Sequence, residues 1–197
     1  MDIHPLTLAG SFVRLEPLSP AHIPGLAAVG LDPQLWQFYP FGSVDTVEEM
    51  AALVDTLQAA QQKGTDLPFT VLHCATSQVI GMTRYLDIQP RNRALEIGGT
   101  WYAASFQRTA ANTECKYLLL RHAFETLGCL RVQFKTDLRN ERSQRAIERI
   151  GATREGVLRS HMLLPDGTLR SSVYFSILVN EWPAVKTRLE VMLARPK

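Results

Sequence analysis

Residues 101–114 read Trp-Tyr-Ala-Ala-Ser-Phe-Gln-Arg-Thr-Ala-Ala-Asn-Thr-Glu, a strand end passing into a helix through a run of small residues. Small side chains let a phosphate approach backbone N–H groups, and a helix N-terminus adds roughly half a positive charge. The segment is therefore a candidate pyrophosphate cradle. Arg108 could add a charge-assisted contact, while Glu114, in the first helical turn, would compete for the same positive end. The same residues also read as a plain capped helix with Asn112 as N-cap. Further on, Asn140 is a good N-cap and Ser143 follows three residues later, so both side chains stand at the start of one helix. That pair reads either as a ligand contact or as a cap followed by a surface serine.

These residues must be positioned by elements that the hydrophobic pattern makes visible. Residues 12–18 alternate like a first strand, and Ser19-Pro20 reads as N-cap and first helical position before a helix over 22–29. Residues 36–42 are aromatic and broken by Pro40 and Gly42; Trp36, Phe38, Tyr39 and Phe41 either line a substrate mouth or close the core. A helix follows over 46–63, with Gly64 beyond its end. Runs at 68–74, 79–86 and 94–102 read as three strands of an antiparallel meander.

From Asn112 the pattern becomes helical up to Gly128, with Leu120, Ala123, Phe124 and Leu127 on one stripe and Lys116, Arg121, His122 and Glu125 on the other face. A strand over 130–136, a short helix over 140–150 stopped by Gly151, a hairpin of 157–164 and 169–178, and a helix over 181–193 complete the chain. The order predicts an α/β (α+β) fold in one domain over residues 1–197, with a mixed sheet and helices packed against it. Its parallel crossover, through the Asn112 helix, joins strand 94–102 to strand 130–136. A ligand belongs beyond the C-terminal ends of that pair.

Composition narrows the function class. Hydrophobic residues make up 46% and charged residues 20%, which excludes a disordered chain and a disulfide scaffold. The net charge of +2 without a dense Lys/Arg block argues against nucleic acid as the primary ligand. Cys74, Cys115 and Cys129 follow no metal-type spacing and suit reduced thiols in a cytoplasmic protein. Neither a signal segment nor a membrane-spanning run is visible. His4, His22, His73 and His122 are scattered and read as structural.

Gln107-Arg108-Thr109-Ala110-Ala111-Asn112 resembles the Gln/Arg-x-x-Gly-x-Gly/Ala acyl-CoA loop of the GNAT superfamily of N-acetyltransferases, and stands between strand and helix as that loop does. Ala110 replaces the first glycine and Asn112 takes the Gly/Ala position. Residues 95–102, 112–116, 136–143 and 150–159 are similar to the branch containing the RimJ/RimL-type ribosomal-protein N-terminal acetyltransferases. The resemblance runs from Val13 to about Trp182.

The resemblance implies a mostly antiparallel central sheet flanked by helices and split open at the acyl-CoA site, with acetyl-CoA as cosubstrate and no metal. Carried over by position, Trp101, Tyr102, Gln107, Arg108, Thr109, Ala110, Ala111 and Asn112 would present backbone groups to the pantetheine and pyrophosphate. Asn140 and Ser143 would lie beside the pantetheine and the sulfur.

Acetyl transfer needs a neutral amine, a polarised carbonyl and a protonated leaving thiolate. Glu96 is the first base candidate, because alternation sets Leu95, Ile97 and Trp101 on one face and Glu96 on the other; it would work through water. A solvent-facing strand glutamate is the plainer alternative, and Glu114 is the second base candidate. Ser143 is the acid candidate, with Tyr174 as rival, and Arg159 and His161 alternate onto one face that could meet the acceptor. The expected acceptor is the α-amine of a protein, peptide or amino acid. A polyamine or drug amine, or a non-catalytic acyl-CoA-binding module, are the alternatives, with a homodimer left open and neither nucleic acid nor membrane as partner.

Overall fold

A computed structural model describes residues 1–194. The strands are β1 (Leu8–Ala9), β2 (Val13–Pro17), β3 (Leu67–His73), β4 (Val79–Gln89), β5 (Ala94–Tyr102), β6 (Arg131–Asp137), β7 (Thr153–Leu163) and β8 (Leu169–Leu178). The α-helices are α1 (Ile23–Gly30), α2 (Val47–Gln62), α3 (Ala110–Arg121), α4 (Glu141–Arg149) and α5 (Trp182–Leu193). The strands form one sheet in the order β1-β2-β3-β4-β5-β6-β8-β7. All neighbours are antiparallel except β5 and β6, the expected parallel crossover through α3.

Local chemistry explains where the helices begin. Thr46 and Glu49 form a capping box for α2: the Thr46 hydroxyl accepts from the Glu49 N–H at 3.1 Å, and the Glu49 carboxylate accepts from the Thr46 N–H at 3.1 Å. Asn140 Oδ1 accepts the Ser143 N–H at 3.0 Å and starts α4, as its position predicts. The cap of α3 is Thr109 instead of Asn112: the Thr109 hydroxyl accepts from the Ala111 N–H at 3.2 Å and donates to the Phe106 carbonyl at 2.7 Å. Asn112 lies inside the first turn, so a cap there sets the helix start too late. The end of α3 passes through a π-helical turn, His122–Thr126, before Gly128.

Helices cover both faces of the sheet. Leu26 of α1 and Met50, Val54 and Leu57 of α2 pack with Trp36, Met82 and Trp101 on one side. On the other, α3 and α5 pack on Leu15, Phe69, Tyr85, Ile97, Phe134 and Phe175. Glu114 ties the second layer to the N-terminal strands, because its carboxylate accepts the backbone N–H groups of Ser11, Phe12 and Val13 at 2.9, 2.7 and 2.6 Å. It neither competes for the α3 N-terminus nor stands free as a base.

Two features shape the middle of the sheet. First, β5 and β6 pair only at Ala94↔Arg131, Leu95↔Val132 and Glu96↔Gln133, although β5 runs on to Tyr102 and β6 to Asp137. Beyond this short seam the strands part. Second, between the pairs Met82↔Trp101 and Arg84↔Gly98, the single residue Thr83 on β4 faces both Gly99 and Thr100 on β5. Gly99 holds φ +55, so the extra residue is a bulge in the left-handed region.

The bulge reverses the alternation of β5. Trp101 therefore joins the α1–α2 layer, while Thr100 and Tyr102 turn toward α3. This corrects the expectation that Trp101 shares a face with Leu95 and Ile97.

Candidate active site

Where β5 and β6 separate, a cleft of about 1030 Å³ opens through the sheet. One end is bounded by residues 104–109 and the beginnings of α3 and α4, the other by Phe38, Tyr39, Phe41, Arg84 and Arg170.

At the first end, residues 104–106 make a short 3₁₀ turn and Arg108 then takes φ +61, which swings the chain into α3. Gln107 straps this loop in place: its amide donates to the Tyr102 carbonyl at 3.1 Å and accepts from Arg142 of α4 at 2.9 Å. Arg108, Arg142 and Arg149 all line the cleft here, next to the α3 N-terminus. A helix start ringed by guanidinium groups fits a diphosphate. Trp101, Tyr102, Gln107, Thr109 and Asn112 also line the cleft; Ala110 and Ala111 do not, since Ala111 is buried under the helix and its N–H is taken by Thr109.

Glu96, Asn140 and Ser143 line the middle of the cleft. Glu96 is only 2% exposed, which removes the solvent-facing alternative. Its carboxylate receives Gln133 Nε2 at 3.2 Å and lies 3.5 Å from Lys135 Nζ. Burial pushes its pKa above the ordinary value, and the attraction of Lys135 and the Gln133 hydrogen bond only partly offset that rise. Asn140 and Ser143 line the opposite wall, on the first turn of α4.

Tyr174 does not reach the cleft wall. It sits on β8 beside Lys135, with its hydroxyl 3.5 Å from His161 Nε2, and burial, then the nearby Glu96, raise its pKa. Arg159 and His161 belong to a separate shallow hollow on β7, where His161 Nδ1 lies 3.0 Å from Ser172 Oγ. The aromatic loop divides its labour: Trp36 is core, donating Nε1–H to the Gly30 carbonyl at 2.8 Å, while Phe38, Tyr39 and Phe41 line the cleft.

Several cleft cations escape a reading of the sequence, and three of them have distinctive partners. Arg84 pairs with Asp66 at 3.0 Å, Arg170 lies 3.9 Å from Asp137, and Lys116 of α3 is buried with Nζ 2.8 Å from Thr100 Oγ1. The first two fall on strands at positions that read as ordinary polar alternation. Lys116, expected on the outer face of its helix, turns inward instead. Among the described residues there is no group of three or more His, Cys, Asp or Glu suited to hold a metal, and no helix is long and apolar enough to cross a membrane.

A mixed sheet opening at one parallel seam, with a basic helix N-terminus at one end and a buried carboxylate at its centre, is the arrangement of an acyl-CoA-dependent transferase. The family model described as an acetyltransferase (GNAT) domain matches residues 13–153. A solved structure from T. thermophilus, assigned as an acetyltransferase, is 43% identical, covers 98% of this chain and 100% of its own, and superposes with a TM-score of 0.89. Mycobacterium smegmatis RimJ in complex with CoA-disulfide is 21% identical over 96% of this chain and 93% of its own, with a TM-score of 0.80, a likeness of fold. The Bacillus subtilis (strain 168) protein called uncharacterized N-acetyltransferase YoaA is 23% identical over 145 residues, 74% of this chain and 81% of that one.

The chain belongs to the GNAT acetyltransferases. It is an acetyl-CoA-dependent N-acetyltransferase with the mixed, mostly antiparallel fold of that family.

Proposed function

We propose that the protein acetylates the α-amine of a protein, peptide or amino acid, acting as one catalytic domain. The observation that carries this reading is Glu96, a buried carboxyl with a raised pKa at the point where the cleft crosses the sheet. An α-amine has a pKa of about 7.7 to 8.0, so reaching its neutral form at pH 7 costs about 1 to 1.4 kcal/mol; a lysine ε-amine at about 10.4 needs roughly 4.6 kcal/mol. A carboxylate taking the proton through one water suits the easier case.

The cleft also disfavours a polyamine. Its lining carries Arg84, Arg108, Lys116, Lys135, Arg139, Arg142, Arg149 and Arg170 against Asp32, Glu96 and Glu141. A polycation would meet a like-charged wall.

In this reading the pyrophosphate of acetyl-CoA sits between the α3 N-terminus and Arg108 and Arg142, and the pantetheine enters the seam past Trp101 and Tyr102. Asn140 and Ser143 lie beside its sulfur. The amine nitrogen bonds to the thioester carbonyl carbon, its proton leaves toward Glu96, and the carbon–sulfur bond breaks with the electron pair on sulfur. That the RimJ fold relative was solved in complex with CoA-disulfide supports a CoA compound as the ligand.

The test is a competition assay with two short peptides, one with a free and one with a blocked N-terminus, each carrying one internal lysine. Mass spectrometry is expected to map acetylation to the free N-terminus. Acetyl groups found on the lysine of both peptides, with the free N-terminus untouched, would overturn the acceptor assignment and leave the acetyltransferase itself intact.

A further inference from the structure

Lys116 occupies an unusual place. It is 6% exposed, on the face of α3 that packs against the sheet, and it lines the cleft. Its Nζ donates to Thr100 Oγ1 on β5 at 2.8 Å and lies 5.9 Å from the centre of the Phe134 ring on β6. The ammonium thus spans the two lips of the sheet just past the last paired residues, Glu96 and Gln133. The Gly99 bulge makes this possible, since without it Thr100 would face the other layer.

Among the described residues Lys116 makes no ion pair with a carboxylate. Glu114 on its own helix is spent on the amides of residues 11–13. Glu96, on the far side of the seam, is engaged by Lys135 and Gln133. Of the other titratable groups around it, Cys115 is buried and its thiol pushed up to about 12, Tyr102 is raised well above its ordinary value by burial, and Arg149 of α4 is bonded to Thr113. A buried cation left with one hydroxyl and one aromatic ring is poorly compensated.

Acetyl transfer creates a negative charge in this gap, on the departing sulfur. A serine hydroxyl is a far weaker acid than a thiol and cannot alone neutralise a thiolate, so Ser143 needs a stronger acid near it. We propose that Lys116 is a catalytic residue whose ammonium receives the charge of the leaving CoA thiolate and protonates it. This rests on the acetyl-CoA placement given above. The carbon–sulfur bond breaks with its electron pair on sulfur, one Nζ proton passes to sulfur to give CoA thiol, and the neutral lysine is reprotonated from water by the equivalent of the proton released through Glu96. Burial brings the Lys116 pKa down to about 8, below even the roughly 8.5 of a free cysteine thiol, so the ammonium is acidic enough to protonate an alkyl thiolate.

The test compares the wild type with Lys116→Met and Lys116→Gln. Both variants are expected to bind acetyl-CoA within about threefold of the wild type, whereas kcat falls by about 10²-fold or more. The kcat of the wild type should decline as pH rises through about 8, as the acid form is lost, and this limb should disappear in the variants. Calorimetry adds a readout on the wild type alone: CoA should bind about tenfold more tightly than desulfo-CoA at pH 8, because only CoA presents a sulfur to the ammonium. Equal affinities for the two, or variants with wild-type kcat and an unchanged alkaline limb, overturn the assignment. A wild type that neither binds nor turns over acetyl-CoA would instead sink the underlying placement of the cosubstrate.

Discussion

Glu96 Oε2 lies 3.5 Å from Lys135 Nζ and also accepts the Gln133 amide at 3.2 Å, yet the carboxyl is held above its ordinary pKa of 4.5. Burial outweighs the cation because Lys135 keeps part of its hydration, at 23% side-chain exposure, while Glu96 has lost nearly all of its own. The base form is the ionised one, so activity should rise with pH through a group titrating above 4.5. Glu96→Gln should lower kcat by about 10²- to 10⁴-fold and abolish that acid limb in a pH–rate profile. Stability runs in the opposite direction. A raised folded-state pKa contributes stability below the unfolded value that is lost as pH rises through the folded one. The melting temperature of Glu96→Gln should therefore gain on that of the wild type across this interval.

Asn140 and Ser143 are joined by a cap hydrogen bond, but their replacement should give different phenotypes. Asn140→Ala removes the acceptor for the Ser143 N–H at 3.0 Å and should cost about 1 kcal/mol of stability, with weaker acetyl-CoA binding as the start of α4 loosens. Ser143→Ala keeps the cap and should leave the denaturation midpoint in place while slowing turnover. Urea titrations read beside kcat and KM separate the two; a Ser143→Ala enzyme with wild-type kcat would leave Lys116 as the acid without its aid.

Gly99→Ala should be costly. The position holds φ +55, and an added Cβ would come 2.8 Å from Arg84 Nε and 3.1 Å from the Tyr39 hydroxyl. A left-handed non-glycine residue costs about 1–2 kcal/mol before any clash. The variant should melt lower and show altered Trp101 fluorescence, because restoring plain alternation would drive the indole out of the α1–α2 layer. An unchanged spectrum and melting point would mean the bulge is set by its neighbours and not by Gly99.

Much of this architecture can be read from the chain. Strand β5 spans the alternating 94–102 run, the meander and parallel crossover follow from element order, and the Asn140 cap from residue type and position. What escapes is where a local pattern yields to a nonlocal one. The Gly98-Gly99 pair inside a strand is the available sign of a bulge, and plain alternation that ignores it puts Trp101 on the wrong face. Lys116 reads as solvated because lysine usually is, and only the third dimension reveals Thr100 and Phe134 around it. The choice of Asn112 over Thr109 as cap fails because both residues satisfy the same preference and the loop geometry decides.

The short seam has a consequence for how the protein avoids pairing with other chains. An open sheet normally has an edge at each flank, here β1 and β7. Separation after Glu96 and Gln133 adds two internal edges, whose strand groups face a gap instead of a partner. Such edges ordinarily invite another chain to add itself as a strand. Here they lie in a recess flanked by α4, the Gln107–Arg142 strap and the Phe38–Phe41 loop, so their free strand groups are offered to a ligand inside the cleft and not to the open surface.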